Sequence, residues 1–410
     1  MSRCAPGDRH VVSPNSSVLL QGYHGRSNTG DDALACAISS GLNRRFHFTR
    51  FLIPAEPGSL PVLPAPMVAQ IPLPWLTRGR YRRNWRTYAA VWKAKVLIFA
   101  GGAILHELVD FRALERYVRF ARHCGTAAIG GIGVSLGPFD TRQKMEECGR
   151  FLSTLDFLTV RDSTSHQTAL GYRLPYEPVK AVDVALTLAD AYGIQARPKG
   201  PVGSESCEVG ISVCSAEVLL DARREGRAHR HQNIAAALRE LSRGRRIRAH
   251  LFQFNADAVH SDGPYLDDLA GLLDGTCEVL RHSYSPDPSI MWRQLASMDV
   301  AITMRFHASV FAYAAGVPFV MLDYHPKCRS FAEDVGMPRQ LVLDAGDFTS
   351  DALVRSVNAL VSGDYPDFAV SPREAFAAAQ AHFDPVEGIL RTTENLRVDR
   401  PEGARGTERA

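Results

Sequence analysis

The sequence has no apolar segment long enough to cross a bilayer as a helix, which needs about 20 residues. The uncharged run at 308–322 is shorter and is interrupted by Gly316 and Pro318. The N-terminal residues MSRCAPGDRHVV also lack the apolar core of a secretory signal. These absences predict a soluble cytoplasmic protein, or one that touches the inner membrane only peripherally.

Cysteine pairs with metal-binding spacing are absent as well. The chain has 8 cysteines, and the two that lie closest together, Cys207 and Cys214, are not arranged as CxxC. This spacing argues against a zinc site or a redox dithiol. Cys36 and Cys214 lie in apolar stretches, where a free buried thiol in a reducing cytoplasm is the ordinary interpretation. We therefore expect no metal ligands.

Repeats and a strong charge imbalance are missing too. The 32 Gly and 24 Pro follow no period, which excludes collagen-like and coiled-coil chains. The net charge of +3 is too small to indicate a nucleic-acid partner, but it allows anionic ligands at particular sites. With 45% hydrophobic and 22% charged residues, the 410 residues can form two large globular domains.

Short apolar strands alternate with helical patterns along both halves of the chain. The strand predicted at 96–100 is a continuous apolar run, which is typical of a central parallel strand. Strand–helix alternation requires crossover connections and therefore parallel sheets. We predict an α/β protein with two doubly wound, Rossmann-like domains that face a cleft.

A polar segment rich in Pro and Gly separates the two halves and marks a linker. The predicted organisation is an N-terminal domain (1–195), a linker (196–208), a C-terminal domain (209–372), a helix packing back on the N-terminal domain (373–395) and a disordered tail (396–410).

Residues 57–106 contain no acidic side chain but 7 Lys and Arg residues. A proline-rich loop opens this stretch, and Trp85, Tyr88 and Trp92 then recur on one predicted helix face. A basic helix with an aromatic face can lie on a membrane surface. The alternative is that the aromatic side chains belong to the core and the arginines are merely solvated.

Glycine-rich segments follow three predicted strands, at 22–34 (GYHGRSNTGDDAL), 100–107 (AGGAILHE) and 130–139 (GGIGVSLGPF). Glycine lets the backbone approach a ligand, and a helix N-terminus offers N–H groups to an anion. None of the segments is a dinucleotide fingerprint or a P-loop. Tight packing turns explain them equally well, and Asp31 and Asp32 suit a first helical turn by charge alone.

Positive side chains follow predicted strands in both domains. Arg161 ends one strand, Arg305 and His307 follow another, and Lys327 closes the next strand–helix turn. Because the carboxyl ends of the strands face the cleft, these side chains can meet one bound anion. The alternatives are a local pair of Arg161 with Asp162 and a structural role for His307.

These motifs, in this order, resemble the polysaccharide pyruvyl transferase family over about residues 18–338. The family pattern has six parts that can be matched in this sequence. They are G-Y-x-G-x-x-N-x-G-D-E-A at 22–33, the glycine run at 101–102, the G-x-G-x-G-P loop at 131–138, V-R-D-x-x-S at 160–163, R-x-H at 305–307 and P-K at 326–327. The chain departs from the pattern at three positions. Asp32 replaces Glu, Ala100 weakens the triple glycine, and Leu136 enlarges the third loop.

The resemblance implies a glycosyltransferase-B-like fold and a pyruvyl transferase. The donor would be phosphoenolpyruvate, and the acceptor would be a sugar of an exopolysaccharide, a cell-wall glycan or a lipid-linked precursor. The product would be a cyclic ketal. No cofactor beyond the donor and no nucleic-acid partner are expected.

The resemblance also suggests a role for each motif residue. Arg305, His307 and Asp31 are the predicted catalytic residues, with His307 as phosphate ligand or general acid and Asp31 as base for the acceptor hydroxyl. Arginine and lysine suit the carboxylate and phosphate of the donor. The predicted substrate-binding residues are Arg161, Lys327, Asn28, Gly30, Gly101, Gly102 and Ser163.

Two other functions fit the same residues. A nucleotide-sugar glycosyltransferase of this fold would need a carboxylate that grips ribose, for which Glu333 is the candidate. A non-catalytic protein that binds sugars or anions on the same fold is the second alternative.

Overall fold

The computed structural model describes residues 16–56, 58–70, 90–202, 206–215 and 224–390. These residues form two all-parallel sheets with helices on both faces. The prediction of two doubly wound α/β domains is confirmed.

The first sheet has 7 strands in the order β3-β2-β1-β4-β5-β6-β7. Its central strands β4 and β5 are apolar and almost entirely buried, as parallel strands covered on both faces must be. The strands are β1 (Ser17–Gln21), β2 (Arg50–Leu52), β3 (Val68–Gln70), β4 (Ala94–Leu105), β5 (Ala128–Leu136), β6 (Phe157–Val160) and β7 (Val179–Lys180). The helices are α1 (Thr29–Phe46), α2 (Phe111–His123), α3 (Arg142–Leu152), α4 (Ser163–Leu170) and, after a 3₁₀ turn at Val184–Thr187, α5 (Leu188–Ala191).

The second sheet has 6 strands in the order β10-β9-β8-β11-β12-β13. They are β8 (Ser206–Ser212), β9 (Arg246–Phe252), β10 (Glu278–His282), β11 (Val300–Thr303), β12 (Phe319–Asp323) and β13 (Val342–Asp344). The helices are α6 (Arg224–Leu241), α7 (Gly263–Leu273), α8 (Pro288–Ala296), α9 (Phe306–Ala314), α10 (Pro326–Asp334), α11 (Ser350–Ser362) and α12 (Pro372–Ala379), and 3₁₀ turns lie at Arg339–Leu341 and Gln380–Phe383.

The chain after α12 returns to the first domain. The buried His382 imidazole bridges the Thr159 hydroxyl and the Val182 carbonyl, at 2.7 Å from each. Phe383 fills the space over Gly41 of α1, where a Cβ would lie 1.9 Å from the ring. The last turns therefore close the core of the first domain, whereas residues 391–410, including the whole predicted tail, lie outside the described ranges.

The N-terminus of α1 joins the two domains. The Thr29 amide donates to the Phe254 carbonyl at 2.9 Å, and the Ala256 amide donates to the Ser27 carbonyl at 2.8 Å. A side-chain contact lies beside them, because the Tyr284 hydroxyl donates to Asp32 at 2.8 Å. These bonds hold the carboxyl ends of both sheets against one cleft.

The acid-free segment is only partly described. Trp85, Tyr88 and the arginines between 78 and 86 lie outside the described ranges. Trp92 is described, and it is 78% exposed, so the interpretation that places these aromatics in the core does not hold for it. Within the described ranges, no helix is both long enough and apolar enough to span a bilayer.

Candidate functional site

Two adjacent cavities lie in the cleft between the domains. The inner chamber has a volume of about 60 Å³, and its walls include Gly30, Arg161 and His307. The outer chamber has a volume of about 510 Å³, and its walls include Tyr23 and Asp257. Both chambers share a wall, which is formed by Asn28, Asp31, Ala103, Arg305 and Lys327. A small cavity therefore adjoins a larger one along a wall that carries charged side chains.

Most of the predicted site residues meet in the inner chamber, although they come from both domains. Gly101 and Ser163 do not line it. Gly101 has a φ of +57°, and it packs against Leu34 of α1. The Ser163 amide and hydroxyl bind Asp334 across the domain boundary. The predicted site residues that do line the inner chamber are Asn28, Gly30, Asp31, Gly102, Arg161, Arg305, His307 and Lys327.

Arg161 is held at the carboxyl end of β6 by buried partners. Its Nε donates to the Ser135 hydroxyl at 2.7 Å, and its Nη1 donates to Asp183 Oδ2 at 2.9 Å. The guanidinium also lies over the Phe306 ring. The expected alternative, a local pair with Asp162, is not formed, because Asp162 instead accepts from Ser135 and caps α4.

Arg305 is fixed in the same manner in the second domain. The residue follows β11, and its Nε donates to the fully buried Asp262 at 2.9 Å. Its Nη2 donates to Asp262 and to the His260 carbonyl. Since arginine carries five N–H donors in a fixed fork, the buried carboxylate orients the guanidinium while leaving donors for a ligand.

Lys327 lies in the first turn of α10, above the rings of Phe306 and Tyr324. Among the residues that the structure describes, no carboxylate lies within ion-pair distance of its ammonium group. Burial lowers the pKa of Lys327, and the charges of Arg161 and Arg305 lower it further. A bound anion would relieve this electrostatic cost.

His307 lies in the first turn of α9, against the start of α1. A Cβ on Gly30 would stand 2.0 Å from His307 Nδ1, so only glycine fits there. Burial lowers the pKa of His307 to about 3. The positive charges of Arg161 and Lys327 also lower it, whereas the negative charge of Asp183 raises it. The imidazole is therefore neutral near pH 7, and the expectation of a pKa near working pH is not met in this geometry.

Asp31 and Asp32 differ although they are adjacent. Asp31 lies in the shared wall, and its Oδ1 would stand 3.1 Å from a Cβ on Gly102. Burial raises its pKa, against the charge of Lys327. Asp32 points away into the domain contact, where it accepts from the Gly25 amide and the Tyr284 hydroxyl. Asp31 is thus the aspartate available to a ligand.

Asn28 has a local task that its motif position did not reveal. It caps α1, because its side-chain oxygen accepts from the amides of Gly30 and Asp31. The cap orients the first turn of α1 toward the inner chamber. Capping satisfies amide donors that a helix leaves open.

Sequence reasoning missed four residues of the site, namely Ser135, Asp183, Asp262 and Tyr324. Asp183 follows the short strand β7, and Asp262 precedes the Gly-Pro start of α7. Such positions are usual for helix caps, so the sequence alone gives no sign that these carboxylates turn toward arginines.

Among the described residues, no group of three His, Cys, Asp or Glu side chains is arranged to hold a metal ion.

Comparison with solved structures shows the fold. The UDP-GlcNAc 2-epimerase of Neisseria meningitidis, bound to UDP-GlcNAc, superposes with a TM-score of 0.55 at 9% identity, covering 91% of this chain and 100% of that one. The enzyme of Methanocaldococcus jannaschii, in complex with UDP-GlcNAc and UDP, gives 0.51 at 11% identity, covering 92% and 99%. The chain therefore has the glycosyltransferase-B-like architecture, as predicted.

Sequence comparison shows the family. No curated protein matches the chain. The polysaccharide pyruvyl transferase family, however, is matched over residues 28–326, which include every residue that lines the inner chamber except Lys327. This chain belongs to the polysaccharide pyruvyl transferase family.

Proposed function

We propose that the protein transfers the pyruvyl group of phosphoenolpyruvate to a sugar of a polysaccharide or of its lipid-linked precursor, and that the product is a cyclic ketal. The observation that carries this proposal is the meeting of Arg161, Arg305 and Lys327 around one small chamber. That chamber shares its charged wall with a larger chamber. The pair of cavities suits a small, highly anionic donor and a larger polar acceptor.

The inner chamber matches the donor in size and in charge. A single buried water needs about 10–15 Å³, so a cavity of about 60 Å³ takes a group of a few heavy atoms, such as a phosphate. Arg161 and Arg305 bind planar carboxylate or phosphate oxygens through paired N–H groups, and Lys327 adds a point charge. The rest of the donor would extend across the shared wall.

The outer chamber suits a carbohydrate. Hydrogen-bonding side chains of Tyr23, Asn255, Asp257 and His260 line it together with the apolar ring of Phe99. Sugars present hydroxyl edges and apolar C–H faces, and the chamber offers partners for both. Asp31 stands where the two chambers meet.

The reaction needs proton movement but no redox step. The methylene carbon of phosphoenolpyruvate takes up a proton, two sugar hydroxyls form bonds to the adjacent carbon, and the bond from that carbon to the phosphate oxygen breaks. The two hydroxyls lose one proton each. One proton is accounted for by the new methyl group and the other by the released phosphate. A carboxyl with a raised pKa can carry such protons, so Asp31 is assigned to the acceptor hydroxyl.

His307 has a complementary task in this scheme. A neutral imidazole can accept or donate a hydrogen bond. The negative charge of a bound donor offsets the surrounding cations and raises the pKa of His307 from its value of about 3, where burial is the main cause of the depression. His307 then serves as phosphate ligand and proton donor.

The two alternative functions receive less support from the structure. Glu333, the candidate carboxylate for a nucleotide ribose, is exposed and lies outside the walls of both chambers. A purely binding function would leave unexplained why Asp31, with its raised pKa, stands at the junction of the chambers. We place the reaction in the cytoplasm, with peripheral membrane contact through residues 57–106 when the acceptor is lipid-linked.

Donor discrimination tests the proposal. The protein is incubated with a panel of glycans and either phosphoenolpyruvate or nucleotide sugars, and the release of phosphate or nucleotide is followed. Acceptor-dependent phosphate release from phosphoenolpyruvate alone is expected. Nucleotide release would establish the glycosyltransferase alternative, and tight donor binding without turnover on any glycan would favour the binding protein.

A further inference from the structure

Asp183 connects the two halves of the inner chamber. It follows β7 in the first domain, whereas His307 belongs to α9 in the second. One carboxylate oxygen, Oδ2, accepts from Arg161 Nη1 at 2.9 Å and faces His307 Nε2 at 3.7 Å. The other oxygen, Oδ1, accepts from the Ala185 amide at 2.9 Å. Each oxygen therefore accepts a hydrogen bond, and these bonds fix the orientation of the carboxylate.

Burial makes this arrangement electrostatically strong. Asp183 is 1% exposed, so water screens its charge little. Burial opposes its ionisation, but the charge of Arg161 and the hydrogen bonds from Ala185 and Arg161 stabilise the carboxylate, and the pKa of Asp183 is lowered. The residue is a carboxylate at neutral pH, and it presents that negative charge to the imidazole.

The ring of His307 then has one favourable protonation pattern. Its Nε2 atom is buried, and among the described residues no acceptor lies within hydrogen-bonding distance of it; Asp183 Oδ2 is 3.7 Å away. A lone pair on Nε2 would face a carboxylate and be repelled, whereas an N–H at that atom would be attracted. The lone pair of the neutral ring consequently lies on Nδ1, beside Gly30.

We propose that Asp183 is a positioning residue, which fixes His307 with Nε2–H toward its carboxylate and presents Nδ1 to the donor in the inner chamber. The geometry of His307 against Asp183 and Gly30 does not depend on the proposed function, but the catalytic consequence does rest on it. Asp183 itself contacts no reacting group. Its effect passes through the imidazole, as a buried carboxylate orients the histidine in other acid–base pairs.

Nuclear magnetic resonance of histidine tests the geometry without any turnover. The full chain is labelled with ¹⁵N-histidine, and His307→Gln assigns the His307 signals. Two-bond correlations should show the Nε2–H tautomer. The pKa of the His307 ring is then measured by pH titration with inorganic phosphate bound. Asp183, Arg161, Lys327 and Arg305 all influence this pKa. In Asp183→Asn the pKa of His307 should fall by about one unit or more. An Nδ1–H tautomer, or an unchanged titration in a folded variant, would overturn the proposal.

A mutant cycle tests the catalytic consequence separately. If Asp183 acts through His307, then Asp183→Asn should lower kcat by about 10²-fold in the wild-type background but have little further effect on kcat in His307→Gln. Ser135→Ala provides the comparison, because it removes hydrogen bonds to Arg161 and Asp162 but none to His307, and it should raise the KM for phosphoenolpyruvate by the same factor in both backgrounds. Equal effects of Asp183→Asn in both backgrounds would contradict a role through His307. Absence of any turnover would count against the proposed function and leave the resonance result to decide the positioning.

Discussion

His307 of the second domain lies so close to Gly30 of the first that a Cβ on the glycine would stand 2.0 Å from Nδ1 of the imidazole. No real contact is that short, so the ring or the first turn of α1 must move if any side chain is added. The glycine of the first motif and the histidine of the R-x-H motif therefore pack directly against each other. The close approach brings the two sheet edges together around the inner chamber.

Gly30→Ala should therefore disable the site while leaving the fold intact. We expect kcat/KM to fall by about 10²-fold or more, because displacement of a reacting group by about 1 Å has effects of that size. Steady-state kinetics, with circular dichroism to verify folding, provide the measurement.

Gly271→Ala is the matched control. Gly271 lies in helix α7, and a Cβ there would meet no atom within 4 Å. Its activity should equal that of the wild type. Wild-type activity in Gly30→Ala would contradict the assigned place of His307.

Arg305→Ala should weaken donor binding. The guanidinium is oriented by the buried Asp262, and losing a charge-assisted contact at such a site costs about 2–4 kcal/mol. Calorimetric titration with phosphoenolpyruvate measures the change. The control is Arg142→Ala, whose side chain is 92% exposed and pairs only with Glu146 on the surface. Unaltered donor affinity in a folded Arg305→Ala protein would remove Arg305 from the site.

Asp32 should make the domain contact sensitive to pH. Burial raises its pKa to about 8, against the hydrogen bonds from Gly25 and Tyr284. The folded protein thus holds this proton more tightly than the unfolded chain does, so the stability contributed by Asp32 is present below its unfolded pKa and is lost as the pH rises toward about 8.

Asp32→Asn should remove that loss, since the amide keeps an acceptor for Gly25 and cannot ionise. Denaturant unfolding at pH 5, 6, 7 and 8 measures the free energy of unfolding of both proteins. The difference between them should shift in favour of the variant by at most about 1.4 kcal/mol per pH unit. Parallel curves over this range would show that Asp32 does not titrate on folding.

Membrane contact is expected for the acid-free segment if the acceptor is lipid-linked. Wild-type protein should sediment with anionic but not with neutral vesicles, because each Lys or Arg near the surface contributes about 1 kcal/mol toward anionic lipid. The triple change Arg80→Gln, Arg82→Gln and Arg83→Gln should abolish sedimentation, and added salt should weaken it. Equal sedimentation of both proteins, or none at low salt, would assign these arginines to a solvated surface.

The fold and the cations of the site were accessible from the sequence for a physical reason. Apolar strands alternating with amphipathic helices allow only parallel crossovers, and residues that follow such strands must lie at one edge of the sheet. Arg161, Arg305, His307 and Lys327 follow strands, so their meeting was predictable. Ser163 also follows a strand, but its side chain turns to Asp334 across the domain boundary.

The partners and charge states of these residues were not accessible in the same way. Asp183 and Asp262 occupy ordinary helix-start positions, and only the tertiary fold reveals that each holds an arginine. The pKa of His307 depends first on burial, which no local pattern records. Its neutral imidazole thus emerges from the packing of two domains rather than from the R-x-H motif.

The central claim, transfer of pyruvate as a ketal, is tested most directly by following the donor carbon into the product. The protein is incubated with phosphoenolpyruvate labelled with ¹³C at the methylene carbon and with candidate glycans, and the purified glycan is examined by mass spectrometry and carbon resonance. The account predicts that the label appears in the glycan as a methyl group attached to a ketal carbon, with one phosphate released per pyruvyl group. Label that remains a methylene group, or phosphate release without label in any glycan, would contradict it.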